Sequence, residues 1–115
     1  PYNAHTTASD ALWAGLPVLT CIGKTFPGRV AASLLKAVGL SELITNTHEE
    51  YIDLAINLAN NPQRLRAIRN KLDQNRLSSP LFDSNLFTKH IEAGYQKVYD
   101  RYHDGLAADH IFIAQ

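Results

Sequence analysis

Four residues near the start of the chain have types and spacing suited to gripping a phosphorylated ribose: His5, Thr6, Thr7 and Asp10. Two threonines where a helix begins place hydroxyls and free backbone N–H groups at the positive end of the helix dipole, which suits an anionic phosphate. His5, one residue earlier, adds a further donor from the loop. Asp10 follows Thr7 by three residues and Thr6 by four, so it lies on the same helix face about one turn further in. A carboxylate there accepts hydrogen bonds from vicinal hydroxyls, the usual grip on ribose in dinucleotide folds. The same residues would also serve as a plain helix start, with Thr6 and Thr7 as caps and Asp10 complementing the dipole.

The elements that must hold these residues read as follows. A helix runs from Thr6 or Thr7 to about Trp13, with Gly15 in the stop position and with Leu12 and Trp13 facing a sheet. Val18, Leu19, Thr20, Cys21 and Ile22 form the short apolar run of a buried parallel strand. A glycine-bounded loop, Gly23 to Gly28, leads to a second helix from about Arg29 to Val38, with Val30, Leu34 and Val38 on one face. Leu43 and Ile44 make a short edge strand. From there the pattern is helical. Thr47 and Glu50 form a capping box ahead of Tyr51, Leu54, Ala55 and Leu58. Asn61-Pro62 stops that helix and starts one whose buried face is Leu65, Ile68 and Leu72. Ser78-Ser79-Pro80 breaks the chain, and Asp83 caps a final helix carrying Phe87, Ile91, Tyr95, Val98 and Tyr102. This order predicts an α/β portion over residues 1–45, short parallel strands with helices, and a helical C-terminal extension over 46–115.

Composition narrows the function classes. In 115 residues, 11 basic side chains balance 11 acidic ones, which argues against a dedicated nucleic-acid or membrane-surface binder. Arg64, Arg66, Arg69, Lys71 and Arg76 share one predicted helix but point around it, the pattern of a solvated face. One cysteine, Cys21, permits neither an internal disulfide nor a thiolate metal cage, and fits a reducing, cytoplasmic setting. It reads as a small buried hydrophobe, and Lys24 as a solvated loop lysine. His48, His90, His103 and His110 have no metal-ligand spacing with one another or with His5. The tyrosines Tyr95, Tyr99 and Tyr102 read as packing residues; an exposed apolar patch there would mark a missing lobe rather than a partner protein, and an open sheet edge would favour association of the chain with itself. A first residue that is proline, followed at once by a polar motif with no strand before it, reads as a start inside a larger domain.

Three ordered motifs carry a resemblance to a known family. The run His5 to Gly15 followed by Pro17, then Arg29-Val30-Ala31-Ala32-Ser33, then Ser78-Ser79-Pro80-Leu81-Phe82, resembles the O-linked N-acetylglucosamine transferases of glycosyltransferase family 41, bacterial tetratricopeptide-linked members included. The resemblance covers nearly the whole chain. It implies part of the C-terminal Rossmann-like lobe of a GT-B enzyme, in which His5, Thr6 and Thr7 contact the diphosphate of a UDP-sugar and Asp10 its ribose. It implies a metal-independent enzyme with no cofactor, a UDP-sugar donor, and transfer of N-acetylglucosamine to Ser or Thr of a protein acceptor. The base-reading loop, the acceptor site and the catalytic groups would lie outside these residues, so no catalytic residue is assigned here. A rival reading is a non-catalytic interaction domain that keeps the transferase fold.

Overall fold

A computed structural model describes residues 2–113, which fall into two compact units, residues 2–82 and 83–113. The first contains α1 (Thr6–Trp13), β1 (Thr20–Cys21), α2 (Val30–Ala37), β2 (Ile44–Thr45), α3 (His48–Asn60) and α4 (Pro62–Arg76). The two strands are parallel, with Thr20 opposite Ile44 and Cys21 opposite Thr45, and α2 makes the crossover between them. Parallel pairing requires such a crossover, because a tight turn can join only antiparallel neighbours.

The strands are shorter than the apolar run 18–22 predicts: ladder pairing is confined to Thr20 and Cys21, and one more bond, from the Ile22 N–H to the Thr45 carbonyl at 2.8 Å, extends it. The partner segment sets this limit. The second strand is Ile44–Thr45, one residue later than expected, because Ser41–Leu43 coils into a 3-10 turn. Thr20 and Thr45 are both buried, and the Thr45 hydroxyl donates to the Thr20 carbonyl at 3.0 Å, so its polarity is satisfied inside the fold.

Leu12, Leu35, Val38, Leu40, Leu43, Leu58, Ile68 and Leu72 form one contiguous buried cluster. It draws on α1, α2, α3 and α4, and so ties the α/β portion to the helices that follow it. The expected face of α2 holds at Val38, which is buried, and is otherwise turned by one residue: Ala31, Ala32 and Leu35 are buried, whereas Val30 and Leu34 are only half-buried. Alanines at 31 and 32 let the helix approach closely, which draws their side of it inward. The expected face of α4 is right in Ile68 and Leu72, with Leu65 half-buried beside them.

The predicted caps are formed. Thr47 accepts from the Glu50 N–H at 3.1 Å, and the Glu50 carboxylate reaches back to the Asn46 N–H at 2.7 Å. Asn61 accepts from the Arg64 N–H at 3.2 Å, with Pro62 at the first helical position. Thr47→Ala is expected to cost about 1 kcal/mol of stability, the usual worth of such a cap, read as a lower midpoint in urea unfolding.

Gly39 follows α2 with φ +77°, and a Cβ there would sit 2.7 Å from the Asn75 amide nitrogen. That nitrogen donates to the Val38 carbonyl at 2.8 Å, so glycine permits both the left-handed turn and the tie to α4. Gly39→Ala is expected to cost at least about 1–2 kcal/mol from the backbone conformation alone, with the Asn75 contact adding to it. Thermal unfolding would measure the loss.

Basic residues of α4 are used as links rather than as a uniformly solvated face. Arg76 donates to the Trp13 carbonyl at 2.8 Å, Arg64 to Asn57 Oδ1 at 2.7 Å, and Lys71 to Glu42 at 2.8 Å. Burial raises the Glu42 pKa, but the Lys71 hydrogen bond, a backbone hydrogen bond and the charges of Lys71 and Arg64 outweigh it and hold the group below the ordinary carboxylate value. A depressed folded-state pKa means that the pair stabilises the fold above the unfolded-state pKa, and that this contribution disappears as pH falls through the folded value. The pair is more than a third exposed, so its worth is within about 0–1 kcal/mol. Urea unfolding of Glu42→Gln against the parent should therefore show a small deficit at neutral pH that vanishes in acid.

The second unit is α5 (Ser84–His103) and the segment after it. Asp83 caps α5 by accepting from the Leu86 N–H at 2.9 Å, as its sequence predicts. The segment folds back on the helix: Lys97 donates to the Phe112 carbonyl at 2.7 Å, and Arg101 faces Asp109 at 3.6 Å. No residue of α5 is buried, and Phe87, Tyr95, Val98, Tyr99 and Tyr102 are exposed, so the expected packing role of the tyrosines is not fulfilled among the described residues. Tyr99 and Tyr102 instead flank His103, with ring centroids 4.2 and 5.5 Å away. No helix of the described residues is long and apolar enough to cross a membrane.

Candidate functional site

The site is built on the start of α1. His5 is the N-cap, and its carbonyl receives the N–H groups of Ala8 and Ser9 at 3.0 and 3.1 Å. Neither Thr6 nor Thr7 is the cap that the sequence predicts; both lie in the first helical turn, and no side chain caps the helix. The physical reason is that His5 already supplies the non-helical residue and the first acceptor. The consequence favours an anion, because the N–H groups of Thr6 and Thr7 are left without intrahelical acceptors and no side-chain oxygen occupies the place in front of them. Thr6 and Thr7 are exposed, as is Asp10 one turn along.

Leu12 and Ala8 seat the helix. Leu12 is fully buried and Ala8 nearly so. Trp13 does not face the sheet as expected: it is 54 % exposed, with its ring edge-on to Phe82 at 5.0 Å and the Arg76 guanidinium 6.0 Å away. A turn of 100° separates neighbouring helix positions, and the inward side of α1 is taken by Ala8 and Leu12, which leaves the larger Trp13 at its edge. Gly15, at φ +81°, then ends the helix as predicted.

The preceding segment is held by the loop after β1. The Asn3 N–H and His5 Nε2 both approach the Pro27 carbonyl, at 2.9 and 3.3 Å. Asn3 Nδ2 donates to the Cys21 carbonyl at 3.2 Å. The His5 ring stacks on Tyr2, with centroids 5.0 Å apart and planes 11° from parallel, and meets the edge of Phe26 at 6.2 Å. Sequence reasoning missed Tyr2, Asn3, Phe26 and Pro27. The loop's bounding glycines are visible in the sequence, but nothing there pairs residues 2–5 with residues 26–27 across twenty positions.

Beside this segment lies a cavity of about 270 Å³ lined by residues that include Asn3, Thr20, Cys21, His48 and Tyr51. Cys21 is half-buried rather than buried, and is free. Lys24 is exposed. Among the described residues no three His, Cys, Asp or Glu side chains come together as metal ligands.

The sequence model of glycosyl transferase family 41 matches residues 2–91, from the segment ahead of the site into α5. The chain belongs to that family. It is 38 % identical over 114 residues to a probable UDP-N-acetylglucosamine–peptide N-acetylglucosaminyltransferase SEC of Arabidopsis thaliana, an alignment spanning 98 % of this chain and 12 % of the relative. It is 37 % identical over 109 residues to the UDP-N-acetylglucosamine–peptide N-acetylglucosaminyltransferase of Caenorhabditis elegans, spanning 95 % and 10 %. Among solved structures, a mutant O-GlcNAc transferase of Thermobaculum terrenum superposes with a TM-score of 0.80 at 38 % identity, covering 86 % of this chain and 19 % of that one. The chain thus spans about a tenth of the length of these curated relatives. The expected fold class holds: this family 41 chain is α/β, part of the Rossmann-like C-terminal lobe of a GT-B glycosyltransferase.

Proposed function

We propose that this chain is the donor-binding portion of a UDP-sugar-dependent glycosyltransferase that passes N-acetylglucosamine to a Ser or Thr hydroxyl of a protein. The observation that carries the reading is the uncapped start of α1, where Thr6 and Thr7 leave N–H groups and hydroxyls free, His5 stands in front and Asp10 follows on the same face, in a chain of family 41. The names of the relatives, which specify UDP-N-acetylglucosamine and a peptide, support the choice of donor and acceptor.

In this reading residues 1–45 hold the nucleotide sugar and residues 46–115 are a helical extension of the same lobe. The diphosphate meets the amides and hydroxyls of Thr6 and Thr7 together with His5, and the ribose diol meets Asp10. As the bond between the anomeric carbon and the β-phosphate oxygen breaks, negative charge grows on the departing UDP. Helix amides already aimed at that charge stabilise it without reorganising, and no metal or other cofactor is required for this. The acceptor and the groups that handle its proton belong to other parts of the enzyme. A cytoplasmic location accompanies this reading.

Amide NMR of the intact polypeptide titrated with UDP, with phosphate and uridine as controls, tests the site. Shifts concentrated from His5 to Asp10 are expected. Saturable UDP binding that leaves those resonances in place would refute the assignment.

A further inference from the structure

The hydrogen bond between His5 and Pro27 has a consequence for how the diphosphate is held, given the donor site proposed above. A carbonyl oxygen can only accept, so the approach of Nε2 to the Pro27 carbonyl places the ring's proton on Nε2. Nδ1 is then the remaining nitrogen, and it has no hydrogen-bond partner among the described residues. In the neutral ring Nδ1 carries a lone pair. The bridging and non-bridging oxygens of a nucleoside diphosphate sugar are all acceptors, so a neutral His5 in this tautomer has no proton to offer them. Turning the ring over would sacrifice the Pro27 bond.

We infer that His5 binds the diphosphate as an imidazolium, with Nε2–H held by the Pro27 carbonyl and Nδ1–H donated to a phosphate oxygen, so that donor binding takes up a proton. Pro27, Tyr2 and Phe26 act as positioning residues: the carbonyl sets which nitrogen bears the first proton, and the two rings set the plane in which the second is presented. The proton comes from solvent and adds to the Nδ1 lone pair, and no covalent bond of the ligand changes. Of the titratable and charged groups on the surrounding elements, the Tyr2 phenol belongs to the stacked ring, Asp10 lies one turn along α1, and Lys24 and Arg29 belong to the loop before α2. None of them forms an ion pair with His5 among the described residues. The charge that favours the imidazolium is therefore the ligand's own, which is what links protonation to binding.

Calorimetric titration of the intact polypeptide with UDP-N-acetylglucosamine, in two buffers of different ionisation enthalpy, reads this directly. The ligand suits the purpose because both its phosphates are diesters with a fixed charge near neutrality. Uptake approaching about one proton per site is expected wherever the free ring is neutral, with affinity falling as pH rises there. His5→Gln, whose amide donates without titrating, should still bind but with no proton uptake and a flat pH profile. Nitrogen-15 spectra of the free protein should show the His5 ring protonated on Nε2 when neutral. Tyr2→Ala should weaken binding in the parent and have no further effect in the His5→Gln background. Binding without proton uptake, or a neutral ring protonated on Nδ1, would overturn the inference and leave the donor site standing. Absence of any binding would remove the donor site and the inference together.

Discussion

Leu12→Ala is expected to lower the unfolding free energy by about 2–5 kcal/mol, the range for leucine truncation in a closed core. Leu12 has no exposed surface and belongs to the cluster that joins α1 to α2, α3 and α4. It is also the main apolar anchor of an eight-residue helix, the other buried residue being Ala8. A helix that short has little intrinsic stability and persists because it is packed. The loss should therefore reach the proposed site: with its anchor shortened, α1 gains freedom to tilt, and the Thr6 and Thr7 amides lose their fixed position. Urea unfolding measures the first effect, and UDP affinity measured well below the unfolding midpoint measures the second. A variant that loses stability but binds UDP as the parent does would show that the helix start is held independently of its core, by the Asn3 and His5 contacts to Pro27.

How far the sequence discloses this arrangement depends on the range of each interaction. The caps at Thr47, Asn61 and Asp83 are legible because donor and acceptor lie within four residues of each other. The ends of α1 and α2 are legible because Gly15 and Gly39 take a conformation that other residues resist. Errors arise where a tertiary partner decides. Periodicity cannot choose between Leu12 and Trp13, or between the Val30 and Ala31 faces of α2, because adjacent stripes of a helix differ only in what they meet. The basic residues of α4 look solvated in sequence, yet Arg76 reaches the Trp13 carbonyl across 63 positions. The same limit applies at the site. His5, Thr6, Thr7 and Asp10 stand together in sequence, and their spacing makes them candidates. The loop that orients His5 is remote, and only the folded chain brings it near.

Asp10→Ala in the intact polypeptide is expected to weaken UDP binding by roughly 1–3 kcal/mol, the scale of hydrogen bonds to a charged group. The side chain is exposed on α1 and its backbone carbonyl already serves the helix by accepting from the Ala14 N–H at 2.9 Å, so truncation leaves the scaffold in place. Asp10 forms no ion pair among the described residues, which leaves its carboxylate free for two vicinal hydroxyls. Removing it should affect nucleosides with an intact diol and leave inorganic phosphate untouched. Comparing UDP with its 2′-deoxy analogue separates ribose recognition from a general electrostatic effect. If Asp10 grips the diol, the deoxy ligand loses affinity for the parent protein and much of that difference disappears in Asp10→Ala. If the carboxylate acts only through its charge, both ligands should change together, and they should bind more tightly, since a negative charge near the diphosphate has been removed. The sign of the effect thus decides between ribose ligand and dipole partner, the two roles that this residue's position on α1 allows.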